Sequence, residues 1–232
     1  MKDFPFAAIG FDLDGTLIDT QGDLGVAVNH TLALIGRDPV PLESVDTLIG
    51  GGSRLMLQRA LLETGGPIPD DEFDALYPQL IEYYGANIAV HSRPYPGCLD
   101  ALDALADLGC VLAVVTNKPE ALSLKLLDEL EILPRFRCVI GGDTLSRAKP
   151  HPDMVLEAID RCGAPFAMVG DSSFDVRAAH AAAVPAIALS FGYHDMPVEK
   201  LGAERIIDHF DELVPALATL KAWKSGAQAP GT

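Results

Sequence analysis

The chain has 232 residues, 49% of them hydrophobic, and a formal net charge of -16 from 33 acidic and 17 basic side chains. That length buries one sizeable core with room for a small accessory unit. The acidic excess, with no basic block, argues against nucleic acid or an anionic membrane as partner. No run reaches the roughly 18 apolar residues of a membrane span and no secretory signal pattern opens the chain, so the cytoplasm is the expected location.

In chain order, the apolar run Ala7-Ala8-Ile9-Gly10 predicts a first strand over residues 7–12. Three stretches then carry apolar residues at helical spacing, over 23–35, 53–64 and 70–88, separated by Gly and Pro clusters at 36–41 and 65–69. They read as a helical insertion with linkers at 17–20 and 92–97. From Cys110 the pattern changes. Strands are predicted over 110–115, 136–140, 166–169 and 185–190, with a short edge strand over 205–208. Helices are predicted between and after them, over 119–130, 153–162, 174–183 and 210–220. Strands alternating with helices imply right-handed crossovers and a parallel sheet. The expected fold class is α/β, a Rossmann-like parallel sheet flanked by helices, with a small helical domain inserted after the first strand. The core spans 1–18 and 94–222 and the insertion 19–93. Residues 223–232 lack periodicity and read as a flexible tail.

The four cysteines, Cys98, Cys110, Cys138 and Cys162, have no paired spacing. They read as reduced, mostly buried side chains rather than a zinc site.

Ligands of open parallel sheets bind beyond the carboxyl ends of the strands. Four polar segments fall in such places: Asp12-Leu13-Asp14-Gly15-Thr16, Thr116-Asn117-Lys118-Pro119, Lys149-Pro150, and Gly170-Asp171-Ser172-Ser173-Phe174-Asp175. Two carboxylates two residues apart at a buried strand end can hold a hard cation. They also offer a nucleophile and a proton carrier. In a chain this acidic, a site for a phosphorylated metabolite has to create its own positive potential from a metal ion, a few lysines or helix N-termini.

The four segments in this order resemble the haloacid dehalogenase superfamily of phosphohydrolases, over nearly the whole chain from Phe6 to about Leu220, and the helical insertion resembles that superfamily's cap. The resemblance implies roles. Asp12 attacks phosphorus and forms an aspartyl-phosphate, while Asp14 protonates the leaving oxygen and later takes a proton from water. Mg2+ is held by Asp12, the Asp14 main-chain carbonyl and Asp171. Thr116, Asn117 and Lys149 bind the phosphate, helped by free N–H groups at the helix after Pro119. Asp175 anchors Lys149 or a metal-bound water.

Within the superfamily, Leu48-Ile49-Gly50-Gly51-Gly52-Ser53-Arg54 resembles the substrate-facing cap loop of the phosphoglycolate phosphatase family, which implies contacts from Gly51, Gly52 and Arg54. Gly51 stands where that family often has asparagine, so one side-chain amide is missing here. The histidines His30, His91, His151 and His180 read as surface or packed residues. The expected activity is Mg2+-dependent hydrolysis of a small-molecule phosphate monoester, 2-phosphoglycolate first, by a monomer or homodimer. The alternatives on the same scaffold are a sugar-phosphate phosphatase or phosphomutase. Asp14 and Asp171 disfavour a dehalogenase. The absence of lysine between Lys2 and Lys118 disfavours a phosphonatase, and the full motif set disfavours a non-catalytic binding protein.

Overall fold

The computed structural model describes residues 4–221; the tail expected at 223–232 lies outside them. Its centre is a six-stranded parallel sheet in the order β5-β4-β1-β6-β7-β8. The strands are β1 (Ala8–Phe11), β4 (Val111–Val115), β5 (Cys138–Ile140), β6 (Phe166–Gly170), β7 (Ala186–Leu189) and β8 (Arg205–Ile207). They run as nearly continuous apolar stretches because both faces of the sheet are covered.

Alternate residues divide between two cores, as the period of two requires. Ile9, Phe11, Leu112, Val114, Val169 and Ile187 point into one. Ala8, Ala113, Val115, Phe166, Met168 and Ala186 point into the other. Helices α4 (Cys98–Asp107), α5 (Glu120–Glu129) and α8 (Leu213–Thr219) cover the first face. Helices α6 (Asp153–Cys162) and α7 (Ser173–Ala181) cover the second.

All five core strands and the four helices predicted after Cys110 are present, with ends shifted by a few residues. The last of those helices begins as a 3-10 turn over Phe210–Glu212. Helix α4 is an element beyond the predicted ones; its buried Cys98, Ala101, Leu102 and Leu105 carry a plain helical spacing.

The insertion contains α1 (Gln21–Leu34), a 3-10 segment over Leu42–Leu48, α2 (Ser53–Glu63) and α3 (Asp70–Ala86). The two predicted linkers are not loose. Ile18–Asp19 (β2) and Arg93–Pro94 (β3) form a two-stranded antiparallel ribbon. The buried carboxylate of Asp23 in α1 fastens it, accepting from the amides of His91 (2.9 and 3.0 Å) and Ser92 (2.8 Å) and from the Ser92 hydroxyl (2.7 Å). No helix among the described residues is long and apolar enough to cross a membrane.

The cysteines are free. Cys98 and Cys110 are buried, and burial pushes their thiols up to about 12 and about 11. The sulfurs of Cys138 and Cys162 lie 3.5 Å apart.

The chain leaves the centre of the sheet at β1 and returns to β4 on one side and β6 on the other. That reversal opens a crevice at the carboxyl ends of these three strands.

Candidate active site

The Asp12 amide donates to the Val169 carbonyl (2.9 Å), so the sheet's last ladder bond fixes the backbone where the first acid emerges. Beyond it the chain turns sharply: the amides of Leu17 and Ile18 both donate to the Leu13 carbonyl at 3.0 Å. Gly15 sits in this turn at φ +81°, and a Cβ there would collide with the Asp171 carboxylate and the Tyr193 ring. The turn sends the two acids in different directions. Asp12 Oδ1 lies 3.0 Å from Lys149 Nζ. The Asp14 carboxylate accepts from Thr20 Oγ1 (2.9 Å) and from Lys118 Nζ (2.9 and 3.1 Å).

Lys149 is buried and its ammonium is fully engaged. It donates to the Val115 carbonyl (2.7 Å) and to Asp175 Oδ1 (2.6 Å) as well as facing Asp12. Burial works to lower its pKa, but Asp12 and Asp175 outweigh that and hold the amine above its usual range. Asn117 lines the cavity beside Asp12 and Thr116. Its amide donates to the Lys149 carbonyl and accepts from the Lys149 amide, both at 3.0 Å. The side chain thus clamps the backbone of the lysine. The helix N-terminus after Pro119 is likewise partly spent, since the Glu120 amide donates to Asp143 Oδ1 (2.7 Å). Thr116, just past the end of β4, lines the cavity with Asp12, and its hydroxyl accepts from the Lys118 amide (3.2 Å).

Oxygens of Asp12, Asp171 and Asp175 lie within 4.8 Å of one another. Asp171 is held by the Thr16 hydroxyl (2.7 Å) and the Tyr193 amide (2.6 Å). Asp175 occupies the third position of α7 and closes a capping box, accepting from the Ser172 amide (3.1 Å) and hydroxyl (2.6 Å). Burial pushes Asp12 up to about 6; Lys149 opposes the rise and Asp175 adds to it. Burial and the two neighbouring acids lift Asp171 well above the carboxylate range. Three crowded carboxylates, two of them with raised pKa values (Asp12 and Asp171), fit a hard divalent cation, whose charge relieves that crowding. The Asp14 carboxylate is not in this group, so any metal contact from Asp14 falls to its main chain. Asp175 is already bound by Lys149 and Ser172 and serves as a support to the cluster.

The insertion covers the crevice and leaves a cavity of about 50 Å³ lined by Asp12, Asp14, Thr116, Lys118 and, from the insertion, Met56 and Tyr84. Gly51 and Gly52 also line it. Gly51, at φ +79°, packs against Phe174 of the core, and a Cβ there would lie 3.0 Å from that ring and 2.7 Å from Leu55. Arg59 Nη1 holds the glycine loop by the carbonyls of Leu48 (3.0 Å), Ile49 (3.0 Å) and Gly50 (3.1 Å). Arg54, expected to meet substrate, is elsewhere. Half exposed on the outside of α2, it pairs with Asp74 (2.7 Å) and stacks on Phe73 and Tyr77. Each residue along a helix is rotated by about 100° from the last, and the apolar positions Met56, Leu57, Ala60 and Leu61 claim the inward face.

Three residues not singled out from the sequence complete the site: Lys118, Tyr84 and Tyr193. Lys118 is buried; burial works to lower its pKa, and Asp14 and Tyr84 raise it more than enough to keep it charged. Its ammonium donates to the Tyr84 hydroxyl (2.7 Å). Tyr193 joins core to ribbon: its hydroxyl accepts from the amides of Thr20 (2.8 Å) and Gln21 (2.9 Å) and donates to Asp19 (2.7 Å). Lys118 belongs to the polar tetrad after β4, which was the available signal; nothing local marks Tyr84 or Tyr193.

The family model for haloacid dehalogenase-like hydrolases matches residues 9–189, from β1 to the end of β7. The chain belongs to this family. It is 41% identical to the phosphoglycolate phosphatase of Agrobacterium fabrum, over 94% of this chain and 95% of that protein. It is 40% identical to that of Caulobacter vibrioides, over 95% and 94%. Among solved structures, a predicted phosphoglycolate phosphatase from Haemophilus somnus superposes with a TM-score of 0.84 at 33% identity, covering 90% of this chain and 97% of that one. CbbY from Rhodobacter sphaeroides, crystallised in complex with phosphate, gives a TM-score of 0.76 at 26% identity, covering 91% and 99%. Family membership makes the chain a hydrolase and accounts for the parallel sheet with a helical insert.

Proposed function

We propose that the protein is a Mg2+-dependent phosphatase that converts 2-phosphoglycolate to glycolate and phosphate through an aspartyl-phosphate on Asp12. The observation that carries this reading is the divergence of the two acids around one cavity: Asp12 against Lys149, Asp14 on the opposite side. An Asp12 oxygen attacks phosphorus, the ester P–O bond breaks, and Asp14 gives its proton to the departing oxygen. Asp14 then takes a proton from the water that attacks the phosphoenzyme, which restores the Asp12 carboxylate and releases phosphate. Lys149 and the Thr116 hydroxyl balance the charge on the transferring group, and Asn117 and Asp175 keep Lys149 in position. Mg2+, held by Asp12, Asp171 and the Asp14 carbonyl, supplies positive charge to the phosphoryl oxygens.

The size of the cavity supports a small leaving group. About 50 Å³ has room for roughly three to five waters, which suits a two-carbon acid better than a sugar. The relatives named phosphoglycolate phosphatase support the same substrate. With no membrane-crossing helix among the described residues, we place the enzyme in the cytoplasm, acting on a free metabolite as a monomer or homodimer.

The test is phosphate release by the purified protein with Mg2+. Wild type turns over 2-phosphoglycolate, and Asp12→Asn slows it by about 10⁴-fold or more. Undiminished turnover by the Asn variant removes Asp12 as nucleophile. Isomerised product from a hexose 1-phosphate, without free phosphate, points instead to a mutase.

A further inference from the structure

We infer that Lys118, steadied by Tyr84, is the residue that recognises the carboxylate of the substrate's organic part. The inference rests on the phosphatase reading above and adds to it the group that selects an acidic leaving group.

The cavity has two ends. At one end Asp12 and Asp14 also border a smaller adjoining cavity lined by Lys149 and Asp171, and this is the end that receives the phosphoryl group. The other end is built mostly of apolar side chains, among them Leu24, Ile49, Met56 and Leu122. A carboxylate driven into that apolar end without a partner carries a desolvation cost of several kcal/mol, so an enzyme for an acidic ester needs a cation there. The described residues lining this space include two cationic side chains, Lys118 and Lys149. Lys149 is committed to Asp12, Asp175 and the Val115 carbonyl. The two arginines of α2 are committed as well: Arg54 stacks outside the cavity on Phe73 and Tyr77, and Arg59 holds three loop carbonyls. Lys118, buried at the leaving-group end, is also paired, with Asp14 and Tyr84, but Asp14 has to be neutral to protonate the leaving oxygen, and the ammonium then faces a substrate carboxylate with no competing charge beside it.

Its position matches the chemistry of the substrate. In 2-phosphoglycolate a single methylene separates the ester oxygen from the carboxylate. In the protein a single hydrogen bond, 2.9 Å, separates the Asp14 carboxylate from the Lys118 ammonium. An ester oxygen placed to take the Asp14 proton brings the neighbouring carboxylate within reach of Lys118. The Tyr84 hydroxyl, 2.7 Å from Nζ, fixes the lysine from the insertion side. The contact therefore joins the insertion to the core directly beside Asp14.

A paired-substrate experiment tests this. Phosphate release from 2-phosphoglycolate is compared with release from ethyl phosphate, which has the same two-carbon skeleton and no carboxylate. Wild type, Lys118→Met and Tyr84→Phe are measured with Mg2+. Wild type favours 2-phosphoglycolate. Lys118→Met collapses that preference at least tenfold, chiefly through KM, whatever happens to the absolute rates. Tyr84→Phe, which removes one oxygen and tests the site without deleting the charge, narrows the preference by a smaller factor. If Lys118→Met slows both esters equally, the lysine merely holds Asp14 and the inference is wrong. If wild type hydrolyses both esters equally well, the inference falls while the phosphatase reading stands. If wild type hydrolyses neither, the phosphatase reading itself falls.

Discussion

The two walls of the cavity are built on different terms. On the sheet side, three of the charged residues are fixed by backbone as well as by side-chain partners: Asp12 by a ladder bond, Lys149 by the Val115 carbonyl and the Asn117 clamp, Asp171 by the Tyr193 amide. On the insertion side, the wall is glycine and aliphatic surface, with Tyr84 as its polar contact to the lysine. A charge-bearing wall held by main-chain bonds suits chemistry that tolerates little displacement. A smooth wall carried on packed helices suits selection by shape, and it can change without disturbing the acids.

Three perturbations sharpen or break that contrast. The largest effect is expected on the rigid side. Lys149→Met removes the cation that Asp12 and Asp175 share and lowers kcat by about 10² to 10³-fold, as read in steady-state phosphate release; a loss below tenfold means that the rigid wall does not position the reacting group. An intermediate effect concerns the cation. Asp12 lies at about 6, above its usual 3.8. Between those values the folded state keeps the proton more tightly than the unfolded chain does. On this account the metal-free protein loses stability as pH rises from about 4 to about 6. Mg2+ competes with that proton, so its apparent affinity weakens by up to about tenfold per unit below pH 6. The rise in Tm on adding Mg2+ is therefore larger at pH 7.5 than at pH 5. Equal rises at both pH values dissociate these acids from the metal. The smallest effect belongs to the outer face of the insertion. Arg54→Ala leaves kcat/KM for 2-phosphoglycolate within about twofold and costs less than about 1 kcal/mol in urea unfolding, as befits an exposed ion pair. A tenfold loss of activity restores Arg54 to the site.

The same contrast explains what could be read from the letters. The sheet is written as short apolar runs, and the acids follow those runs directly, so strand ends place Asp12, Thr116 and Asp171 without further information. Lys118 escaped because a strand end specifies where a tetrad begins and not which of its side chains turns back toward Asp14. The Asn117 clamp is illegible for the same reason; the closeness of the Lys149 loop, 32 residues away, is a tertiary fact. Arg54 was misplaced because a helix beside a glycine loop can present any of several faces until its packing is known. The paired ribbon at the base of the insertion is only two residues wide on each side, too short for any periodicity to announce it.

Tyr193 carries a consequence for how the molecule opens. Its amide holds one oxygen of Asp171, and its phenol is the common anchor for the start of α1 and for Asp19 in the ribbon. Lifting the insertion away from the sheet pulls on that phenol, and the pull reaches Asp171 through a single residue. One aromatic residue is thus the shared mooring of the insertion's base and of an acid of the cluster.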